Sequence, residues 1–113
     1  MNKYRAKKTV VDGHVFDSKK EARRYGELRL LERAGEIHGL ELQKEFELIP
    51  VQRRDGRVCE RAVKYRADFC YIDKSGQYVA EDVKGYTGGA AYRLFAVKRK
   101  LMLQRYGIEV REI

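Results

Sequence analysis

The sequence predicts a mixed α/β fold, a central mixed sheet flanked by helices, in the order α-β-β-β-α-β. Three observations carry this. Residues 19–34 and 90–106 repeat apolar side chains at helical spacing, and residues 40–48 alternate apolar with polar at a period of two. Residues 64–73 and 77–84 are two runs rich in aromatic and β-branched side chains, separated by Lys74-Ser75-Gly76, which marks a hairpin. A strand-helix-strand crossover closes the chain. Such crossovers are right-handed, so the last strand should lie parallel to the second strand of the hairpin.

Taken in order, residues 1–8 form a basic arm with little to bury. Residues 9–16 read as a short hairpin turning at Asp12-Gly13. Ser18-Lys19-Lys20-Glu21 is a capping box, in which Ser18 accepts from the Glu21 amide and the Glu21 carboxylate reaches back. The helix it opens runs to Ala34 and stops at Gly35, with Ala22, Tyr25, Leu28, Leu30, Leu31 and Ala34 as its apolar stripe. In the next strand Leu40, Leu42, Phe46 and Leu48 fall on one side, and Glu41, Gln43, Glu45 and Glu47 on the other. Lys44 interrupts this pattern, which places the strand near a sheet edge. Arg53-Arg54-Asp55-Gly56 turns the chain toward the central hairpin. Residues 85–89 then form a loop whose three glycines permit close backbone approach. The second helix is expected to bury Leu94, Val97, Leu101 and Met102 and to end at Gly107, and residues 108–113 close the chain as a strand.

A length of 113 residues is that of a single domain, residues 1–113. No apolar run is long enough to span a bilayer, and the polar, basic N-terminus has no apolar stretch behind it, so a cytoplasmic protein is expected. Cys59 and Cys70 lack the paired spacing of a zinc site and are too few for a disulfide framework, so both read as reduced thiols. The net charge of +8 is unevenly spread. Residues 1–25 carry +5, residues 52–66 carry +4, and residues 93–105 carry +5 with no acid, whereas residues 26–49 sum to −3 and residues 67–92 to −2. Basic segments surround an acidic spot. That pattern suits a polyanion, and nucleic acid first, around a cation site; the plainer alternative is basic helices that only confer solubility.

The acidic spot lies on the central hairpin. A three-residue loop with Gly76 left-handed pairs Asp73 with Gln77, and counting back sets Asp68 opposite Asp82, with Lys84 on their face. Like charges directly opposed are destabilising, so a cation should resolve them, and a divalent metal with oxygen ligands is the simplest. Solvated strand carboxylates are the alternative, and a loop one residue shorter would break the register.

Asp68, the triplet Asp82-Val83-Lys84 and a helix bearing Glu21 ahead of them, in α-β-β-β-α-β order, resemble the PD-(D/E)XK nuclease superfamily. The strings Phe16-Asp17-Ser18-Lys19-Lys20-Glu21-Ala22, Leu40-Glu41-Leu42-Gln43, Ala67-Asp68-Phe69 and Glu81-Asp82-Val83-Lys84-Gly85, with residues 108–113, are similar to a family of small phage and prophage proteins of that superfamily. That family is similar to archaeal-type Holliday junction resolvases, and the similarity covers nearly the whole chain. Ala67 stands where the motif's name has proline, and aspartate, not glutamate, opens the triplet; neither change removes a ligand oxygen.

The resemblance implies a restriction-endonuclease-like core and a Mg²⁺-dependent endonuclease, with Mn²⁺ as an alternative metal. Asp68, Asp82, the Val83 backbone carbonyl and Glu21 are its candidate metal ligands, and Asp68, Asp82, Lys84 and Glu21 its catalytic set. Lys84 would orient or deprotonate the nucleophile. Glu21 has the capping box as a competing role, and Gln43, beside the site in such proteins, has an exposed strand position as its own. Glu81 belongs by alternation to the face of Val79 and Val83, which leaves Asp82 as the second carboxylate. Arg23, Arg24, Lys98, Arg99 and Lys100 are candidates for phosphate contact, with Lys98 placed to face the site. Tyr86 and Tyr92 flank the glycine loop, to stack on a base or to pack. The substrate implied is branched DNA, a four-way junction, cut by paired nicks from a homodimer. A nicking or flap-type nuclease without junction preference, an RNA substrate and an inactive basic DNA-binding module are the alternatives.

Overall fold

Local rules fix the ends of most elements in the computed structural model, which describes residues 8–85 and 88–113. Strands β1 (Thr9–Val11) and β2 (His14–Phe16) form a small antiparallel ribbon, with Asp12 and Gly13 both at positive φ in its two-residue turn. Helix α1 (Lys19–Arg33) opens where the Ser18 side chain accepts the Glu21 amide at 3.1 Å, and it is followed by Gly35 at φ +78°. Strand β3 (Ile37–Ile49) is longer than its sequence core. It leads into β4 (Gln52–Arg54) and β5 (Arg57–Glu60), then β6 (Val63–Asp73) and β7 (Tyr78–Asp82). Helix α2 (Gly89–Tyr106) ends at a left-handed Gly107, and β8 (Arg111–Glu112) is shorter than the six residues expected.

The main sheet has the order β3-β6-β7-β8, antiparallel except for β8, which runs parallel to β7. The mixed sheet flanked by two helices is therefore as the sequence predicts, and β3 lies at an edge. The central hairpin keeps the expected register, with Phe69 opposite Glu81, the Asp73 amide bonded to the Gln77 carbonyl at 2.9 Å, and Gly76 at φ +88°.

Each helix covers one cluster of buried side chains. Ala22, Tyr25 and Leu28 of α1 pack with Phe16, Ile37, Phe69, Tyr71 and Val79. Phe95 and Met102 of α2 pack with Phe46, Leu48, Tyr65, Ala67, Cys70 and Ala80. Leu30, Leu31, Leu94 and Val97, expected to be buried, are exposed instead, because each helix meets the sheet along a narrower stripe than its apolar residues cover.

A second difference bears on the site. Leu40 and Leu42 pack on the α1 side, whereas Phe46 and Leu48 belong to the α2 side. Four apolar residues in even register thus serve opposite layers. The faces trade places at Gln43, a non-glycine residue at φ +55°. In β6 the same exchange falls beside Asp68, since Ala67 joins the α2 cluster and Phe69 the α1 cluster. The β3–β6 pairing runs from Glu41↔Cys70 and Leu42↔Phe69 to Lys44↔Ala67, and steps over Gln43 and Asp68. Cys70 is buried and Cys59 exposed, both free, and no described helix is long and apolar enough to cross a membrane.

Candidate functional site

Where β6 and β7 stop pairing, Asp68 takes over the bonding. The last recorded pair is Phe69↔Glu81, and beyond it the Val83 amide donates to Asp68 Oδ2 at 2.8 Å. A side chain has replaced a main-chain partner. Residue 83 is held against the site by its amide, while its side chain packs in the α1 layer. Asp68 Oδ1 accepts from Gln43 Nε2 at 3.4 Å, so the two residues skipped by the ladder bond each other through their side chains. Gln43 is thus half-buried beside Asp68 and not on an open strand face.

Asp82 turns toward α2. Its Oδ1 lies 2.8 Å from Lys84 Nζ, and its Oδ2 accepts from the Tyr65 hydroxyl at 2.7 Å. Lys84 Nζ also sits over the Phe95 ring, 3.4 Å from its centroid. The Lys84 ammonium thus compensates one of the two carboxylates, Asp82, while Asp68 is bonded by Gln43 and the Val83 amide. Burial chiefly, and then the bond to Asp82, pushes the Tyr65 hydroxyl far above its usual range, so Tyr65 remains a donor. Asp82, Lys84, Tyr65, Arg66, Phe95 and Lys98 line an open cleft of about 300 Å³, which puts Lys98 at the site as expected.

Glu21 enters from α1. It is 4 % exposed, its amide bonds Ser18, and its Oε1 has no partner among the described residues. The amide half of the capping box forms, and the Glu21 carboxyl lies between the Asp17 backbone at the helix start and the Asp68 carboxyl. Burial first, and then the neighbouring Asp68 carboxylate, raise Glu21 to about 7. Asp68 is raised too, by burial above all and by Asp82, against the Val83 amide, Gln43 and Lys84, which favour its anion. Glu21, Gln43, Asp68, Asp82 and Lys84 therefore meet at one end of the β6–β7 seam. As they stand, no group of three or more His, Cys, Asp or Glu among the described residues is gathered tightly enough to hold a metal ion.

A family model described as "Protein of unknown function (DUF1064)" matches residues 1–112. The chain belongs to that family. No curated protein and no solved structure matches it.

The phosphate candidates divide. Arg23 and Lys100 are exposed. Arg24 is held in a structural pair: Nε and Nη2 bond both oxygens of the fully buried Glu81 at 2.8 and 2.6 Å, and Tyr71 donates to the same carboxylate. Alternation does send Glu81 to the α1 face, and there it anchors the helix. Arg99 pairs with Glu112 at 3.0 Å, and Tyr92 donates to that carboxylate at 2.8 Å, so Tyr92 ties α2 to β8. Tyr86 and residues 1–7 of the basic arm lie outside the described residues.

Tyr65, Phe95 and Lys20, whose Nζ bonds the Lys84 carbonyl at 2.6 Å, were not among the residues the sequence singled out. Period-two counting puts Tyr65 and Asp68 on opposite faces. Only the exchange at Gln43 and Asp68 brings both to Asp82; Lys44, which interrupts the apolar stripe at the next residue, is its trace in the sequence, but it reads equally as an edge position.

Proposed function

We propose that this protein is a metal-dependent DNA endonuclease of the PD-(D/E)XK kind, selective for branched DNA, and that it acts as a Holliday junction resolvase. The observation that carries the reading is the meeting of Asp68 and Glu21 beside the Asp82–Lys84 pair, at the point where two central strands part. In chemistry, though not in its present spacing, the donor set suits a hard divalent cation. It consists of carboxylate oxygens, one of them buried with no partner among the described residues, and two of the carboxyls are raised, by burial first and then by a neighbouring carboxylate. Asp68, Asp82 and Glu21 would hold the ion, with the Val83 carbonyl as a further ligand. Bound Mg²⁺ or Mn²⁺ would supply an activated water and charge neutralisation at the phosphate.

The chain's own groups do the rest. Gln43 and the Val83 amide fix the Asp68 carboxylate, and Tyr65 fixes Asp82. Lys84, which pairs with Asp82 Oδ1, would orient the nucleophile and counter negative charge on the phosphate. Lys98 and Arg66, at the cleft's rim, suit backbone phosphates without reading bases. A homodimer would place two such sites for paired nicks.

One observation favours a rival. Asp82 is already satisfied by Lys84 and Tyr65, as in a DNA-binding module without catalysis. Incubation with a synthetic four-way junction, a flap and a linear duplex, with and without Mg²⁺, separates the readings. Paired symmetric nicks confined to the junction support the resolvase, and cutting of flap or duplex equally well supports a less selective nuclease. Binding without Mg²⁺-dependent cutting supports the inactive module.

A further inference from the structure

Strands β4 and β5 form a two-stranded ribbon of their own, inserted between β3 and β6, and every residue of both strands is exposed. It packs substantially on neither helix nor on the main sheet. Nothing in the core requires it. Its register pairs Arg54 with Arg57 and Arg53 with Val58, next to the Asp55-Gly56 turn, with Gln52 opposite Glu60 at the root. Two like-charged guanidinium groups directly opposed are destabilising, and neither forms an ion pair among the described residues. An anion supplied from outside would relieve them.

The ribbon's position says which anion. Its root leads through Arg61 and Ala62 into β6, and the exposed Arg61, Lys64 and Arg66 run toward the cleft at Asp82, where Arg66 is part of the lining. From Arg57 to Asp68 the chain spans at most roughly 37 Å at the rise of an extended strand, so the two ends reach no farther than about one turn of duplex DNA, about 34–36 Å. Residues 51–61 contain no aromatic side chain, so they offer no platform for stacking unpaired bases. A two-stranded ribbon is, however, of a size that the major groove admits.

We propose that the β4–β5 ribbon is a second nucleic-acid contact, which lies along the duplex arm flanking the site, with Arg54 and Arg57 on its phosphates. The inference rests on the reading of the protein as DNA-binding, but not on catalysis.

The test is the affinity of the full-length chain for a fluorescent linear duplex across a salt series without Mg²⁺. Three proteins are compared: wild type, Arg54→Ala/Arg57→Ala and Arg54→Lys/Arg57→Lys. The alanine protein should lose roughly 2 from the slope of log K against log salt, and the lysine protein should keep it. Melting temperatures should match, since the ribbon lies outside both cores. An unchanged slope in the alanine protein overturns the proposal, as does equal loss in both variants, which would mean a disturbed ribbon. Sedimentation of the same samples separates the other occupant: self-association lost while the slope holds makes the ribbon a contact between copies and overturns the proposal. Slope loss in a protein whose wild type cuts no DNA supports the ribbon and counts against the nuclease alone.

Discussion

Glu21 concentrates the chemistry of the site at the scale of one residue. A carboxyl raised to about 7 in the folded chain, from 4.5 when free, binds more protons folded than unfolded between those values. Its contribution to stability is therefore complete below about pH 4.5 and fades as the pH rises through about 7, by as much as about 3 kcal/mol. Divalent metal should reverse the trend by compensating the same charge. Thermal melts with and without Mg²⁺ check this: the stabilisation by Mg²⁺ should be larger at about pH 8 than at about pH 5.5. Glu21→Gln should lose most of that difference. Asp82→Ala should lower cleavage by at least about 100-fold while leaving junction affinity within a few-fold, measured by gel shift beside single-turnover cleavage.

At the scale of elements, two features hold the site in shape. Glu81, fully buried, joins α1 to the sheet through Arg24 and Tyr71, one helical turn from Glu21. Arg24→Ala leaves that carboxylate without its cation and should cost about 3 kcal/mol, seen in urea unfolding, with an unchanged salt slope for DNA binding. The other feature is Gln43, whose left-handed backbone lets β3 change faces beside Asp68. Glycine adopts that conformation freely, so Gln43→Gly should leave stability unchanged or raise it by up to about 1 kcal/mol, yet it removes the donor to Asp68 Oδ1 and should slow cleavage. Loss of both stability and activity would assign Gln43 to packing.

Much of this scale was legible in the residues. Turn chemistry at Asp12-Gly13 and Gly76, the stops at Gly35 and Gly107, and the alternation from Ala80 through Asp82 to Lys84 are local properties; the Gly76 turn sets the register of β6 against β7, and alternation puts Asp82 and Lys84 on one face. The exchange of faces was not legible, because Leu40, Leu42, Phe46 and Leu48 share one even register, the Lys44 interruption reads equally as an edge position, and the reversal depends on a single φ. Tyr65 as a partner of Asp82 was hidden for the same reason. The β4–β5 ribbon has no alternating apolar face, so only its turn stood out, and the exposure of Leu94 and Val97 follows from where α2 meets the sheet, which helical spacing alone does not decide.

Over the whole molecule, charge and shape point the same way. A chain of net charge +8 sets its carboxylates at the end of one strand seam, with Lys98 and Arg66 beside them and an arginine-bearing ribbon at the far end of β6. Cleavage and binding should both weaken steeply with salt, as expected for a protein that neutralises several phosphates. The central claim, that Asp68, Asp82 and Glu21 hold a divalent ion on DNA, is tested most directly by calorimetric titration of Mg²⁺ into the protein bound to a non-cleavable four-way junction. A saturable binding event per chain, abolished by Asp68→Ala with the junction still bound, is the predicted result. No Mg²⁺ uptake by the wild-type complex, or uptake indifferent to Asp68, would contradict it.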